Sequence, residues 1–381
     1  MFRDEVNMKS YTLKDACYIA TGKLDANQSI KNGIYPFFTC AEFPDAINTY
    51  AFDCDAVLVA GNNARGNFHV NRYKGKFNAY QRTYVLTSKE NFDIDFIFYS
   101  LKLELKRLKE KSQGSQTKFL TLPILQNIHF SSILINEQKT IAAVLSALDK
   151  KIALNKQINA RLEQMAKTLY DYWFVQFDFP DANGKPYKSS GGDMVFDETL
   201  KRKIPKGWGS IELQSCLAKI PNTTKILNKD IKDFGKYPVV DQSQDFICGF
   251  TNDEKSILNP QDAHIIFGDH TRIVKLVNFQ YARGADGTQV ILSNNERMPN
   301  YLFYQIINQI DLSSYGYARH FKFLKEFKII LPSKDISQKY NEIANTYFVK
   351  VRNNIKQNHQ LTQLRDFLLP MLMNGQVSVA K

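Results

Sequence analysis

The chain has 381 residues, 44% of them apolar, with 50 Lys and Arg against 38 Asp and Glu for a formal net charge of +12. That length exceeds one ordinary core and points to two domains, and the apolar fraction excludes a disordered chain. The positive balance favours a polyanionic partner, because Lys and Arg release condensed counterions when they meet phosphates.

The five cysteines, Cys17, Cys40, Cys54, Cys216 and Cys248, are scattered and never form C-x-x-C. Neither a disulfide framework nor a zinc site is expected, and a reducing cytoplasm fits. The N-terminal MFRDEVNMKS lacks an apolar signal core, and no stretch approaches the ~20 apolar residues of a membrane span. The expectation is a soluble, cytoplasmic protein with no membrane partner.

In chain order, Tyr35-Pro36 leads into apolar Phe37-Phe38, and the β-type run from Asp55 to Ala60 ends at Gly61-Asn62 with Arg65 following. A second strand pattern, Tyr84-Val85-Leu86, precedes LKLELKRLKEK, an amphipathic helix. Glu104 and Lys106 there, with Asp95 upstream, loosely imitate a metal-dependent nuclease, but a solvated helix face is the expected role. The Gly-centred SQGSQTKFL should lead into an aromatic, apolar strand. From about Glu137, Ile141, Leu145, Leu148, Ile152, Leu162, Ala166, Leu169 and Trp173 step by fours and threes, a helical seam containing Asn155 and Asn159.

The pattern then recurs after about 200 residues. Tyr237-Pro238 precedes Val239-Val240, and the run from Asp262 parallels that from Asp55, placing Gly268-Asp269 and Arg272 opposite Gly61-Asn62 and Arg65. Gln289 to Leu292 repeats the second strand, and SYGYARHFKFL repeats the loop. Val351, Asn354, Asn358, Leu361 and Leu368 repeat the seam at a constant offset, so Asn155, Asn159, Asn354 and Asn358 are expected as a register-fixing polar set between two helices. Pro370 should end or kink the second helix near Leu369, with Asn374-Gly375 as its stop.

These elements give an α+β chain of two similar α/β domains separated by two long antiparallel helices, a pseudo-two-fold internal repeat. The expected limits are 1–136 for the first domain, 137–178 for its helix, and 179–207 for a Gly- and Pro-rich connector. The second domain is expected at 208–335, the C-terminal helix at 336–375 and a tail at 376–381. A helix from about 137 to 172 is on the order of 50 Å long, enough to hold two readers about one turn of B-DNA apart, roughly 34 Å.

No Walker loop, G-x-G-x-x-G, H-E-x-x-H or G-x-S-x-G occurs, and no Pro-Pro pair exists for the loop with which an amino-methyltransferase grips a flipped base. No catalytic residue and no metal site is expected. What remains is planar, polar and basic side chains in loops, where Asn and Gln can pair with adenine, Arg with guanine and Lys with phosphate. In the first domain the candidate DNA-binding residues are Asn62, Asn63, Arg65, Gln81, Arg82, Gln113, Ser115, Gln116 and Lys118. In the second they are Asp269, His270, Arg272, Arg283, Gln289, Tyr315, Tyr317, Arg319 and His320.

The segments KTIAAVLSALDKKIALNKQINARLEQMAKTLYDYWFVQFDFP, KSSGGDMVFDETLKRKIPKGW and NNIKQNHQLTQLRDFLLPMLMNGQV resemble the helical regions and the entry to the second domain of specificity subunits of type I restriction-modification systems. The resemblance implies that each domain is a target-recognition domain reading half of an interrupted site in double-stranded DNA. It also implies two methylation subunits that use S-adenosylmethionine on adenine N6, and restriction subunits that use ATP and Mg, with no cofactor bound by this chain. The methylation subunits would contact Leu169, Tyr172, Trp173, Phe174, Leu368, Leu369 and Leu372, unless these residues pack the helices onto their own domains. The rival readings are a self-contained methylase or nuclease with degenerate motifs, and a helical scaffold that does not read DNA.

Overall fold

Alternate residues of a strand point to opposite faces, so an unbroken apolar run marks a strand buried on both sides. The strand Phe52–Ala60 does this: Val57 and Val59 enter one apolar cluster, and Ala56 and Leu58 enter another. His264–Gly268 repeats the arrangement with Ile265 and Phe267 on one side and Ile266 on the other. The computed structural model describes residues 10–62, 68–111, 119–131, 133–220, 223–285, 287–316 and 319–379. The chain divides into two units, one of Met1–Leu154 with Gln357–Lys381 and one of Asn155–Lys356.

In the first unit a six-stranded sheet runs Cys17–Thr21, Thr83–Ser88, Phe52–Ala60, Val70–Ala79, Tyr35–Phe38, Asp45–Ile47. Only the contact of Tyr35–Phe38 with Val70–Ala79 is parallel within it. In the second unit Tyr237–Val240 likewise pairs antiparallel with Gly249–Thr251 and parallel with Tyr281–Arg283. His264–Gly268 lies between Val274–Val277 and Thr288–Ile291, as Phe52–Ala60 lies between Val70–Ala79 and Thr83–Ser88. The repeat therefore extends to strand register: Phe38 faces Ala79 and Val240 faces Arg283, while Ala60 faces Thr83 and Gly268 faces Thr288.

The helix Ile94–Lys111 covers the first sheet. Its supposed nuclease acids are held in ion pairs, Asp95 with Arg72 Nε at 2.6 Å and Glu104 with Arg107. The long helices are Ile135–Tyr170 and Lys334–Met373, ~54 and ~60 Å at 1.5 Å per residue. Within the second unit Tyr340 pairs with Ala166 and Asn354 with Asn159; within the first, Asn358 pairs with Ile152 and Arg365 with Asp149. Rising numbers on one helix meet falling numbers on the other, so the segments are antiparallel in each unit.

Three local expectations change. Pro370 does not end the last helix, which continues to Met373 and stops at the expected Asn374-Gly375. The stop is at Gly375, φ +67°, where Gln376 N–H donates to Met371 O (2.9 Å) and Gly375 N–H to Leu372 O (3.2 Å), closing a left-handed cap. Residues 179–207 are no loose connector: Phe179 stacks on Trp208 at 5.0 Å and on Tyr187 at 4.7 Å, Asp178 accepts from the Ser189 N–H and hydroxyl, and Met194–Asp197 pairs with Arg202–Pro205. The second unit begins inside the first long helix, whose Ala166 and Tyr170 join its core together with Trp173 and Phe174 of the π-helical turn Asp171–Val175.

His264 points inward from its strand toward the Tyr281 hydroxyl at 3.2 Å, and burial pulls its pKa from 6.5 down to about 4. The neutral ring is the folded form, so its stabilising contribution is complete above about pH 6.5 and is lost as the pH falls toward 4. Between pH 7.5 and 5 this group should remove about 2 kcal/mol from the second unit. Urea titrations at both pH values should show that loss, and His264→Asn should reduce it; an equal loss in the variant would assign the pH effect elsewhere.

Candidate nucleic-acid interface

In the second unit the turn after His264–Gly268 is built from buried polar groups. The Asp269 carbonyl accepts from His320 N–H at 2.9 Å and faces His320 Nδ1 at 2.9 Å, while the Asp269 carboxylate accepts from Phe321 N–H at 2.8 Å. His320 Nε2 faces the Gly316 carbonyl at 3.1 Å. Asp269 and His320 are 4% and 2% exposed. Both were expected to face DNA; their polar atoms instead face inward and brace the turn. The segment from His320 to Glu326 is a helix and not the expected strand, because Asp269 satisfies its first N–H groups and His320 and Leu324, four apart, bury the same side.

Around this brace Lys225, Asp269, His270, Gly287, Gln289 and Arg319 line a concave site. His270 N–H donates to Gln242 Oε1 (3.1 Å) and the Thr271 hydroxyl to the Gln242 carbonyl (2.8 Å). Gly287 lies at φ +73°, and a Cβ there would stand 2.7 Å from His270 and 2.8 Å from Gln242, so this close approach requires glycine. Arg272 adopts φ +61°, rare for a side chain with a Cβ, and donates to Leu312 O at 3.3 Å. Lys275, buried on the adjacent strand, donates through Nζ to the carbonyls of Asp241 and Asp245 and so holds the loop that carries Gln242. Burial lowers its pKa against the opposing pull of Asp241. Gln242, Lys225 and Lys275 were missed by the sequence reading; the signal for Lys275 was a cation at an inward position of the apolar strand Val274–Val277.

Tyr315 is exposed and stacks on Phe323 at 4.3 Å, Arg319 precedes the helix, and Arg283 Nε is buried without a hydrogen-bond partner among the described residues. Tyr317 lies outside the described residues, as do Asn63, Arg65, Gln113, Ser115, Gln116 and Lys118. In the first unit Gly61 takes the place of Asp269: its N–H donates to Arg82 O at 2.8 Å as that of Asp269 does to Gly287 O, and its carbonyl accepts from Leu120 as that of Asp269 does from His320. The equivalence is one residue off the parallel drawn from sequence, which set Asn62 against Asp269. Asn62 bridges to Phe119, Arg82 stands 5.8 Å over the Phe119 ring, and Gln81 donates to Asp25 at 2.7 Å.

The family model for the type I restriction modification DNA specificity domain matches residues 5–164. Over 220 residues the chain is 39% identical to the type I restriction enzyme EcoDI specificity subunit of Escherichia coli, a match covering 57% of this chain and 47% of that subunit. Over 316 residues it is 26% identical to the MjaIX specificity subunit of Methanocaldococcus jannaschii, covering 76% and 71%. Residues 5–164 are thus similar to a type I specificity domain, and longer stretches of the chain are similar to type I specificity subunits. The chain spans about half the length of its EcoDI relative in that match. The crystal structure of the type I system S subunit from M. genitalium superposes with a TM-score of 0.57 over 98% of both chains at 18% identity, a likeness of fold.

In this chain the helix residues divide by burial. Asn354 donates to Asn159 at 2.8 Å in the second unit, and Asn358 to the Ile152 carbonyl at 3.3 Å in the first; Asn155 and Asn354 are buried. Trp173, Phe174 and Leu372 are buried in their own units, so packing is their role, whereas Leu169, Leu368 and Leu369 are half-buried and Tyr172 is exposed. No helix among the described residues is long and apolar enough to cross a membrane.

Proposed function

We propose that this chain is the non-catalytic, DNA-reading subunit of a type I restriction-modification complex and that its two units read the two halves of an interrupted duplex site. One observation carries this reading. The ladder of Val57–Ala60 with Thr83–Leu86 is repeated pair for pair by that of Ile265–Gly268 with Thr288–Ile291, yet the units differ where side chains line the turns, with Gly61, Arg82 and Tyr84 in one replaced by Asp269, Gly287 and Gln289 in the other. One scaffold with two loop chemistries suits two different base sequences.

In this reading the long helices fix the gap between half-sites, and the exposed parts of Leu169, Tyr172, Leu368 and Leu369 meet two methylation subunits in the cytoplasm. Those subunits transfer a methyl group from S-adenosylmethionine to adenine N6, and restriction subunits cut unmodified DNA with ATP and Mg. Sequencing methylated bases in cells with and without the chain, its methylation subunits present in both, tests the proposal. The expected product is a two-part motif with a fixed gap that disappears with the chain. An uninterrupted motif, or methylation by the purified chain alone, would count against it.

A further inference from the structure

We propose that Lys23 and Lys225 are paired contacts to DNA phosphate, one in each unit, that grip the backbone whatever sequence the neighbouring loops read. The inference rests on the DNA-reading function above. Each lysine immediately precedes the residue that ties its segment to the strand end beside the turn. Leu24 bridges in parallel to Tyr80 and accepts from Gln81 N–H at 2.9 Å; Ile226 bridges in parallel to Gly284 and accepts from Ala285 N–H at 2.7 Å. The two lysines therefore occupy one position of the shared scaffold.

Around that position the side chains diverge. Asp25 stands against Leu227, Gln81 against Ala285, and Arg82 against Gly287. A positive charge kept where its neighbours change suits the part of the duplex that does not change with sequence, its phosphates. A lysine ammonium is a compact point charge on a flexible stem, suited to phosphate and carrying no base preference. Both lysines are exposed, and neither forms an ion pair among the described residues, whereas Lys201, Lys206 and Lys236 are each paired with a carboxylate. Lys225 also lines the concave site with His270, Gln289 and Arg319, which places its charge beside the groups proposed to read bases.

The test measures the affinity of the full chain, alone and assembled with its methylation subunits, for a mixed-sequence duplex over a series of KCl concentrations. Lys23→Met and Lys225→Met should each lower the slope of log affinity against log salt by about 0.9, and the double variant by about twice that. Lys201→Met and Lys206→Met, at exposed and ion-paired positions, should leave the slope where it was, and circular dichroism melts should match across all variants. A double variant that binds with the parent slope overturns the inference, as does a loss confined to one half-site sequence, the mark of a base contact. If the unaltered chain and its assembly bind no DNA, the reading function itself fails and the inference falls with it, a result distinct from the other two.

Discussion

Tyr340→Ala is expected to lower the unfolding free energy of the second unit by about 3–5 kcal/mol, the range for truncating a large buried aromatic side chain. Tyr340 is fully buried, its ring edge-on to Phe174 at 5.3 Å and to Trp173 at 6.2 Å, and its hydroxyl donates to the Ala166 carbonyl at 3.0 Å. Removing the ring opens a cavity where both long helices and the π-helical turn converge. Tyr340→Phe, which keeps the ring and loses one hydrogen bond, should cost only about 1 kcal/mol. The chain has two tryptophans, Trp173 and Trp208, and both belong to this core, so intrinsic tryptophan fluorescence in urea follows this unit selectively. If Tyr340→Ala shifted that transition no more than Tyr340→Phe, the ring would not be the keystone its contacts indicate.

What the sequence made legible was whatever obeys a local period. The strands Tyr35–Phe38 and Tyr237–Val240 share the motif Tyr-Pro-apolar-apolar and the same burial pattern, and the 199-residue offset between the helix seams, as from Asn155 to Asn354, gave two helices that pair antiparallel in each unit. What stayed illegible depends on partners far along the chain. The helix from His320 exists because Asp269, 51 residues earlier, supplies acceptors for its first N–H groups, and nothing within HFKFLKE announces that. Residues 179–207 look like a linker by composition, yet Phe179, Tyr187 and Trp208 stack into one aromatic column. Polar chemistry was legible only as type: Asp269, Gln289 and Arg319 line a concave site, but the Asp269 carboxylate and the His320 ring are turned inward, toward the Phe321 N–H and toward the carbonyls of Asp269 and Gly316.

Asp269→Ala should for that reason damage DNA reading more than removal of any single exposed side chain of the site. The carboxylate holds the part-buried Phe321 N–H, so its loss leaves an unsatisfied donor costing about 1 kcal/mol and frees the start of the helix that follows Arg319. His270, Gln289 and Arg319 then lose their common frame, and two or three of the base contacts proposed for them, at about 2 kcal/mol each, correspond to roughly a 10³–10⁴-fold loss at the half-site proposed for the second unit. Arg319→Ala removes one proposed contact and leaves the frame, so it should cost about 10- to 100-fold and relax one position of that half-site. Asp269→Asn retains an acceptor oxygen for Phe321 and should recover most of the function, which separates the brace from a requirement for negative charge. Competition binding against duplexes altered in one half-site at a time gives the measurement, with the half-site of the first unit as internal control. Undiminished discrimination in Asp269→Ala, or equal losses at both half-sites, would show that the turn is not what presents the reading groups.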